Sequence, residues 1–263
     1  MNTLLSALAM LTTTVVVSAS ELTPINTLMK DQNGAVSQYL VALPHIAFGG
    51  AWRTKVILTN TSSVAADVTL YYYDRWGTPL VVTIKGSAVD HSDLSVPANG
   101  ASEIEPDWSG PETSGWAGLS YTNSGIKAQG VFLWHDPSDP ADKYTEAAAP
   151  VISQSGASCI IPLPGSTMYS MPYDETDGRF SGYGFVNTTN TPVSMTLSFY
   201  DGSGQFVGTY TEAVPAFGHP SMLIKDKVPA VADKKGRMAI SGSGIVPLGF
   251  RFTPYYTFTT WQP

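Results

Sequence analysis

The chain repeats itself, and two copies of one module constrain the fold more tightly than any single stretch could. Val56-Ile57-Leu58-Thr59-Asn60-Thr61-Ser62 lies over Tyr183-Gly184-Phe185-Val186-Asn187-Thr188-Thr189 at an offset of 127. At the same offset Asp67-Val68-Thr69-Leu70-Tyr71-Tyr72-Tyr73-Asp74 lies over Ser194-Met195-Thr196-Leu197-Ser198-Phe199-Tyr200-Asp201. Further on, Val96-Pro97-Ala98-Asn99-Gly100 matches Val214-Pro215-Ala216-Phe217-Gly218, and Ser124-Gly125-Ile126 matches Ser243-Gly244-Ile245. Both copies contain Leu-Pro near their start, Leu43-Pro44 and Leu163-Pro164. The modules run over 38–150 and 158–263, with a short linker near Ala149 to Ser158. Each is long enough, at about 100 residues, to bury a core of its own.

The repeated segments read as strands. Val68, Leu70 and Tyr72 alternate with Thr69 and Tyr71, and their counterparts Met195, Leu197 and Phe199 are all apolar. Period-two alternation marks a strand packed on one face, so the first set is core and Tyr71 points outward. Asp74-Arg75-Trp76-Gly77 and Asp201-Gly202-Ser203-Gly204 place Asp first and Gly fourth in a hairpin turn. Asp accepts backbone hydrogen bonds there and Gly takes positive φ. Proline in Val-Pro-Ala-x-Gly ends a strand by presetting φ and removing a donor. Only 13% of residues are charged, a composition suited to short strands and turns rather than long helices. About seven to nine strands can be drawn per copy, with turn signals every 8–12 residues. The fold class is therefore all-β: two tandem Ig-like antiparallel β-sandwich modules.

The order hydrophobic-x-Asn-Thr-(Ser/Thr), an alternating strand ending Tyr-Asp-x-x-Gly, then Val-Pro-x-x-Gly resembles secreted bacterial proteins of unknown function with tandem Ig-like modules. The resemblance spans most of 39–263. It implies the sandwich fold and an export route, and it brings no catalytic residue.

Residues 1–20 read as a signal peptide. Leu4 to Val17 is an uncharged, mostly apolar run followed by small residues at Ser18-Ala19-Ser20. It is short for a bilayer core, which takes about 20 residues, and its head carries no Lys or Arg. No second run is long enough to span a membrane, so the expected product is secreted, soluble and extracellular or periplasmic. Cys159 stands alone, which excludes an intramolecular disulfide and reads as a buried thiol. A net charge of −7 with scattered basic residues excludes a nucleic-acid partner.

Chemistry-bearing motifs are absent. The chain has no Gly-x-Ser-x-Gly elbow, His-Glu-x-x-His, Cys-x-x-Cys or phosphate loop. His45, His91, His135 and His219 lie in four unrelated contexts, none matched by a histidine in the other copy. Two acidic loops are candidate calcium sites, Asp136, Asp139 and Asp142 in one and Asp174-Glu175-Thr176-Asp177-Gly178 in the other. Calcium takes six to eight oxygens, but neither loop follows an EF-hand register, and solvated turns are the better reading; no other cofactor is implied. Asn60 and Asn187 head formal glycosylation sequons at equivalent positions, better explained by turn geometry.

Aromatic side chains are the remaining signal. Trp76 sits at a hairpin tip beside Arg75, Tyr71 lies on the same strand pair, and Trp52 and Trp108 are placed near loops. The second copy has Ser198 and Ser203 opposite Tyr71 and Trp76. Residues that the duplicated fold does not require are candidates for function, so Tyr71, Arg75 and Trp76 are the candidate ligand-binding set. The segment Ser166 to Tyr173 reads as a lengthened loop, and Tyr255 to Trp261 as a closing strand. The expectation is a non-catalytic exported protein acting in surface attachment, extracellular structure or recognition of a glycan or protein. The alternative is a secreted hydrolase with a dispersed active site, which would gather His, Ser and carboxylates in one pocket.

Overall fold

The computed structural model describes residues 39–107, 110–122, 125–135, 144–150, 168–255 and 257–261. The first half holds β1 (Tyr39–Phe48), β2 (Trp52–Asn60), β3 (Ala66–Asp74), β4 (Val82–Ile84), β5 (Ser87–Val89), β6 (His91–Val96), β7 (Ala101–Ile104), β8 (Thr113–Tyr121), β9 (Ile126–His135) and β10 (Tyr144–Pro150). The second holds β11 (Met168–Asp174), β12 (Phe180–Asn187), β13 (Val193–Asp201), β14 (Phe206–Val214), β15 (Ser221–Leu223), β16 (Lys235–Ser241), β17 (Ile245–Phe252) and β18 (Phe258–Trp261). A single helical turn, Ile224–Lys227, follows β15.

The duplication is repeated strand for strand. The first half forms sheets β1-β8-β3-β6 and β10-β9-β2-β7; the second forms β11-β16-β13-β14 and β18-β17-β12-β15. Only the β4–β5 hairpin lacks a counterpart among the described residues. Each pair of sheets closes on one core. Leu70 and Tyr72 of β3 meet Val56 and Leu58 of β2 in the first, and Leu197 and Phe199 of β13 meet Tyr183 and Phe185 of β12 in the second. The all-β sandwich expectation therefore stands, with a strand order of its own. In constant-type immunoglobulin domains the first strand lies beside the second and the seventh beside the sixth. Here β1 lies beside β8 and β9 beside β2.

The repeated motifs converge at one end of each sandwich. Asn60 and Asn187 are buried at the ends of β2 and β12. The Asn60 amide nitrogen donates to Val64 O at 2.8 Å and Val96 O at 3.2 Å; its oxygen accepts Ser62 N at 2.9 Å. Asn187 donates to Thr191 O at 2.8 Å and Val214 O at 3.3 Å and accepts Thr189 N at 2.9 Å. Val96 and Val214 belong to the opposite sheet, so one side-chain amide ties the two layers together. The following threonine closes the same end: Thr61 N donates to Gly125 O and Thr188 N to Gly244 O, both at 2.9 Å. Both sequon asparagines are thus structural, with the amides spent on backbone carbonyls.

Alignment on structure corrects the start of the second module. Leu163-Pro164 lies outside the described residues, and the counterpart of Leu43-Pro44 is Met171-Pro172 inside β11, with Leu43 and Met171 fully buried. The segment read as a lengthened loop is therefore largely this strand. Thr54 and Ser181 are also equivalent: each hydroxyl both accepts from and donates to the backbone of the preceding strand, at Ala47 and Asp174. The offset drops from 128 to 127 between these landmarks, so the first copy carries one extra residue. It lies in a β-bulge between Leu43 and Ile46 of β1, and β11 runs through the same stretch without one.

Because its donors satisfy buried carbonyls of the opposite sheet and of the adjoining loop, Asn187→Ala is expected to cost on the order of 3 kcal/mol, and Asn60→Ala a similar amount. Asn187→Asp should be at least as damaging at pH 7, where a carboxylate would face those carbonyls, and milder in acid. Leu70→Ala and Leu197→Ala should each cost about 2–5 kcal/mol. Urea denaturation of the single variants measures all of these; an Asn187→Ala protein as stable as the parent would remove the clamp.

Candidate functional site

The tip that carries Arg75 and Trp76 is a rigid turn. Asp74 Oδ1 accepts Trp76 N at 2.8 Å and Thr78 N at 2.9 Å, Oδ2 accepts the Thr78 hydroxyl at 2.7 Å, and Gly77 takes φ +80°. Asp201 caps the second module's turn in the same way, with Gly204 at φ +83°. Trp76 is 59% exposed, so its ring does not fold back over the hairpin. The Arg75 guanidinium lies 4.7 Å from its centroid, a cation–π contact that steadies both side chains.

The other side of this tip is docked on the second module. Arg75 O accepts His219 N at 2.9 Å, and a Cβ on Gly77 would lie 2.1 Å from Ala216 O. The Val-Pro-Ala-x-Gly turn of the second module is therefore pressed against the tip. Its fourth residue, Phe217, has φ +55°, a conformation costing a non-glycine residue about 1–2 kcal/mol. Asn99, its counterpart, adopts the same φ with a side chain suited to it. The Phe217 carbonyl accepts the Trp116 indole N–H at 2.7 Å, and its ring stacks on Tyr73 at 6.2 Å. Tyr73 and Trp116 in turn stack at 4.7 Å.

Tyr71 points away from the sandwich core, as its alternation requires, and is half-buried. Its ring stacks on His91 at 6.0 Å and abuts the cluster of Tyr73, Trp116, Val186 and Val246. Its hydroxyl pKa is raised by burial and by the nearby Asp93. No ring contact joins Tyr71 to Trp76 among the described residues. The three sequence candidates lie on one strand and its turn, but they do not form one cleft: Tyr71 belongs to the margin of the intermodule seam.

A second aromatic cluster completes the seam. Trp52, Phe132 and Trp134 of the first module pack against Leu248, Phe250, Phe252 and Phe258 of the second. Trp52 is buried here, not near a loop surface, and Trp108 lies outside the described residues. Because β17 and β12 are covered on both faces, they read as nearly continuous apolar runs.

Between the clusters lies a contact that the sequence did not announce. His45, from the β1 bulge, and His219, just before β15, are both buried, with Nδ1 and Nε2 3.2 Å apart. A bulge re-aims a side chain, and this one turns His45 across the seam. Gly184 makes room, since a Cβ there would lie 2.8 Å from the His219 nitrogen and 3.0 Å from that of His45. Burial pushes the His45 pKa down to about 4. Burial, then the adjacent His45, holds His219 well below the usual histidine range. The signals in the sequence were the extra residue in the first copy and the lack of a histidine opposite either position in the other.

His45 also lines a cavity of about 20 Å³ with Glu112, Ser114, Tyr183 and Ser221. These are the residue types a hydrolase would gather, and burial raises the Glu112 carboxyl to about 7. Their geometry differs from a nucleophile–base pair. His45 Nδ1 is engaged by His219, and no hydrogen bond links it to either serine among the described residues. The space admits about one water and falls far short of the roughly 300 Å³ of a small-molecule pocket.

The calcium candidates fare differently. Asp136, Asp139 and Asp142 lie outside the described residues. In the other loop Asp174 accepts both Arg251 Nε at 3.0 Å and a terminal guanidinium nitrogen at 2.6 Å, together with Thr176. Glu175 accepts Ser181 N at 2.8 Å. Asp174 and Glu175 are turned inward to fasten the loop, which corrects their reading as solvated or cation-binding, while Asp177 stays exposed beside Arg179. Among the described residues no three metal-ligating side chains form a group.

No protein-family model matches the chain, and no curated protein matches its sequence. Among solved structures, a β-glucuronidase from glycoside hydrolase family 2 aligns at 8% identity over 82% of this chain and 23% of its own length, with a TM-score of 0.15. The CupB6 tip adhesin from Pseudomonas aeruginosa aligns at 11% identity over 85% of this chain and 98% of its own, with a TM-score of 0.14. The chain thus spans under a quarter of the glucuronidase, and at these scores neither likeness carries an argument.

Gly77 and Gly204 give a matched test of the docked tip. Both hold nearly the same positive φ, but a Cβ at Gly204 would meet nothing within 4 Å. Gly204→Ala should cost only the backbone strain of about 1–2 kcal/mol. Gly77→Ala should cost clearly more and split thermal unfolding into two calorimetric transitions as the modules uncouple. Equal losses from the two variants would mean that the tip does not bear on the second module.

Proposed function

We propose that the protein is an exported, non-catalytic recognition protein that engages a glycan or protein at a surface through Trp76, with Arg75 holding the indole in place. One observation carries this reading: the most exposed tryptophan of the described chain stands on a turn fixed by Asp74 from within and by the second module from behind. A single exposed apolar side chain is ordinary; what sets this indole apart is the rigidity of its support. Held rigid, it offers a flat apolar face whose conformational entropy is already spent, suited to stacking on a sugar ring or filling a partner's pocket. The second module presents Ser203 at the equivalent place, so recognition would belong to the first module alone. The apolar run at residues 1–20 supports export, and no helix among the described residues is long and apolar enough to cross a membrane.

The test is co-sedimentation of the purified protein with insoluble polysaccharides and with intact cells, beside Trp76→Ala. The parent should bind at least one surface, and the variant should bind it about 30-fold more weakly, the effect of removing a hot spot of about 2 kcal/mol, while remaining as stable as the parent. Binding that survives the substitution would place recognition elsewhere. No binding to any surface would remove the glycan arm and leave a protein partner, to be sought by crosslinking at the cell surface.

A further inference from the structure

We propose that the intermodule seam is an acid-operated latch, in which protonation of the buried His45–His219 pair undocks the first module from the second while each sandwich stays folded. The geometry sets the latch. With Nδ1 and Nε2 at 3.2 Å, one neutral ring donates and the other accepts. A proton on the acceptor removes that bond and leaves a cation among the rings of Phe132 and Phe250, 5.8 and 5.2 Å from His45. The asparagine clamps inside the sandwiches have no titrating group.

The groups facing the pair make the direction definite. From β1 there is no other charged side chain. The hairpin tip contributes Arg75, whose positive charge further disfavours protonated His219. The residues before β8 contribute Glu112, which lines the same cavity but makes no hydrogen bond to either ring among the described residues. β12 contributes Tyr183, β15 contributes Ser221, and β9 and β17 contribute phenylalanines, all neutral in acid.

An exposed histidine titrates near 6.5, whereas burial holds His45 near 4 and keeps His219 well below the usual histidine range. The open form therefore binds more protons below pH 6.5, and opening is favoured as pH falls. Glu112 acts in the opposite sense. Its carboxyl is raised from 4.5 to about 7 when docked, so opening releases a proton between those values. Between pH 6.5 and 4.5 His45 and Glu112 nearly cancel, leaving His219 to drive opening about tenfold per pH unit. Below 4.5 Glu112 drops out, but near 4 the docked His45 takes up its own proton, so the slope stays close to that set by His219.

The experiment follows the full chain from pH 7.5 to 3.5 by small-angle scattering, tryptophan emission and far-ultraviolet circular dichroism. In acid the radius of gyration should rise and the emission shift to the red as Trp52, Trp116 and Trp134 are uncovered, with the strand signal unchanged. The double variant His45→Asn/His219→Gln, which keeps an amide hydrogen bond without a titrating ring, should stay docked throughout. Glu112→Gln should steepen the response from about one proton to about two. A parent that keeps its radius and emission to pH 3.5, or a double variant that opens at the parent's pH, would overturn the latch. Should the double variant fail to fold, ring-proton NMR of the parent decides: both histidines must take up protons in the interval where the particle expands, and rings still neutral through that expansion overturn the proposal.

Discussion

A buried side-chain amide that reaches from one layer to a carbonyl of the other, and to one in the adjoining loop, holds each sandwich together at one end. Asn60 and Asn187 do the same thing with hydrogen bonds that agree within 0.1 Å. The turn after β2 or β12, the proline turn after β6 or β14 and the glycine turn before β9 or β17 all end on this point. Buried backbone groups must be paired, and three loops meeting at a closed sandwich end leave carbonyls that no ladder can reach. An asparagine offers two donors and an acceptor in a compact plane, which explains why these motifs recur together.

The seam is built on the opposite principle, from residues that the copies do not share. Where the first module has Trp116, the second has the exposed Arg237 lying over Tyr200. Where the second has Phe217 and His219, the first has Asn99 and Ala101. The bulge that delivers His45 exists once. Two homologous modules joined head to tail would present the same unsatisfied surfaces at both ends of the pair. Arg237 and Asn99 leave the outer faces solvated while Trp116 and Phe217 make the inner ones apolar, as in the capping units of repeat proteins.

Docking also sets the character of the exposed tip. Trp76 projects from a turn whose backbone contacts the second module, so it is presented by two modules acting as one support. The left-handed backbone of Phe217 is a local cost offset by its stacking and by the indole hydrogen bond it accepts. Strain, aromatic packing and the histidine pair all lie along the same seam, which makes the relative placement of the modules the feature on which presentation of Trp76 depends.

Period-two alternation, the Asp-x-x-Gly and Val-Pro-Ala-x-Gly turns and the offset of 127 were enough to read an all-β, duplicated fold, because burial of one strand face and turn dihedrals are local demands. The core assignment of Leu70, Leu197 and their neighbours followed from the same pattern. What the amino acids in order could not express was the contact between modules. Trp52 reads as a loop residue and His45 and His219 as unrelated until β12 and β17 are seen to be buried on both faces. Met171-Pro172 is the partner of Leu43-Pro44, but a one-residue bulge shifts the register and hides the match at an offset of 127. Pairing across 174 residues leaves no periodicity in a chain; only the packing of one sandwich on the other brings those two rings within hydrogen-bonding distance.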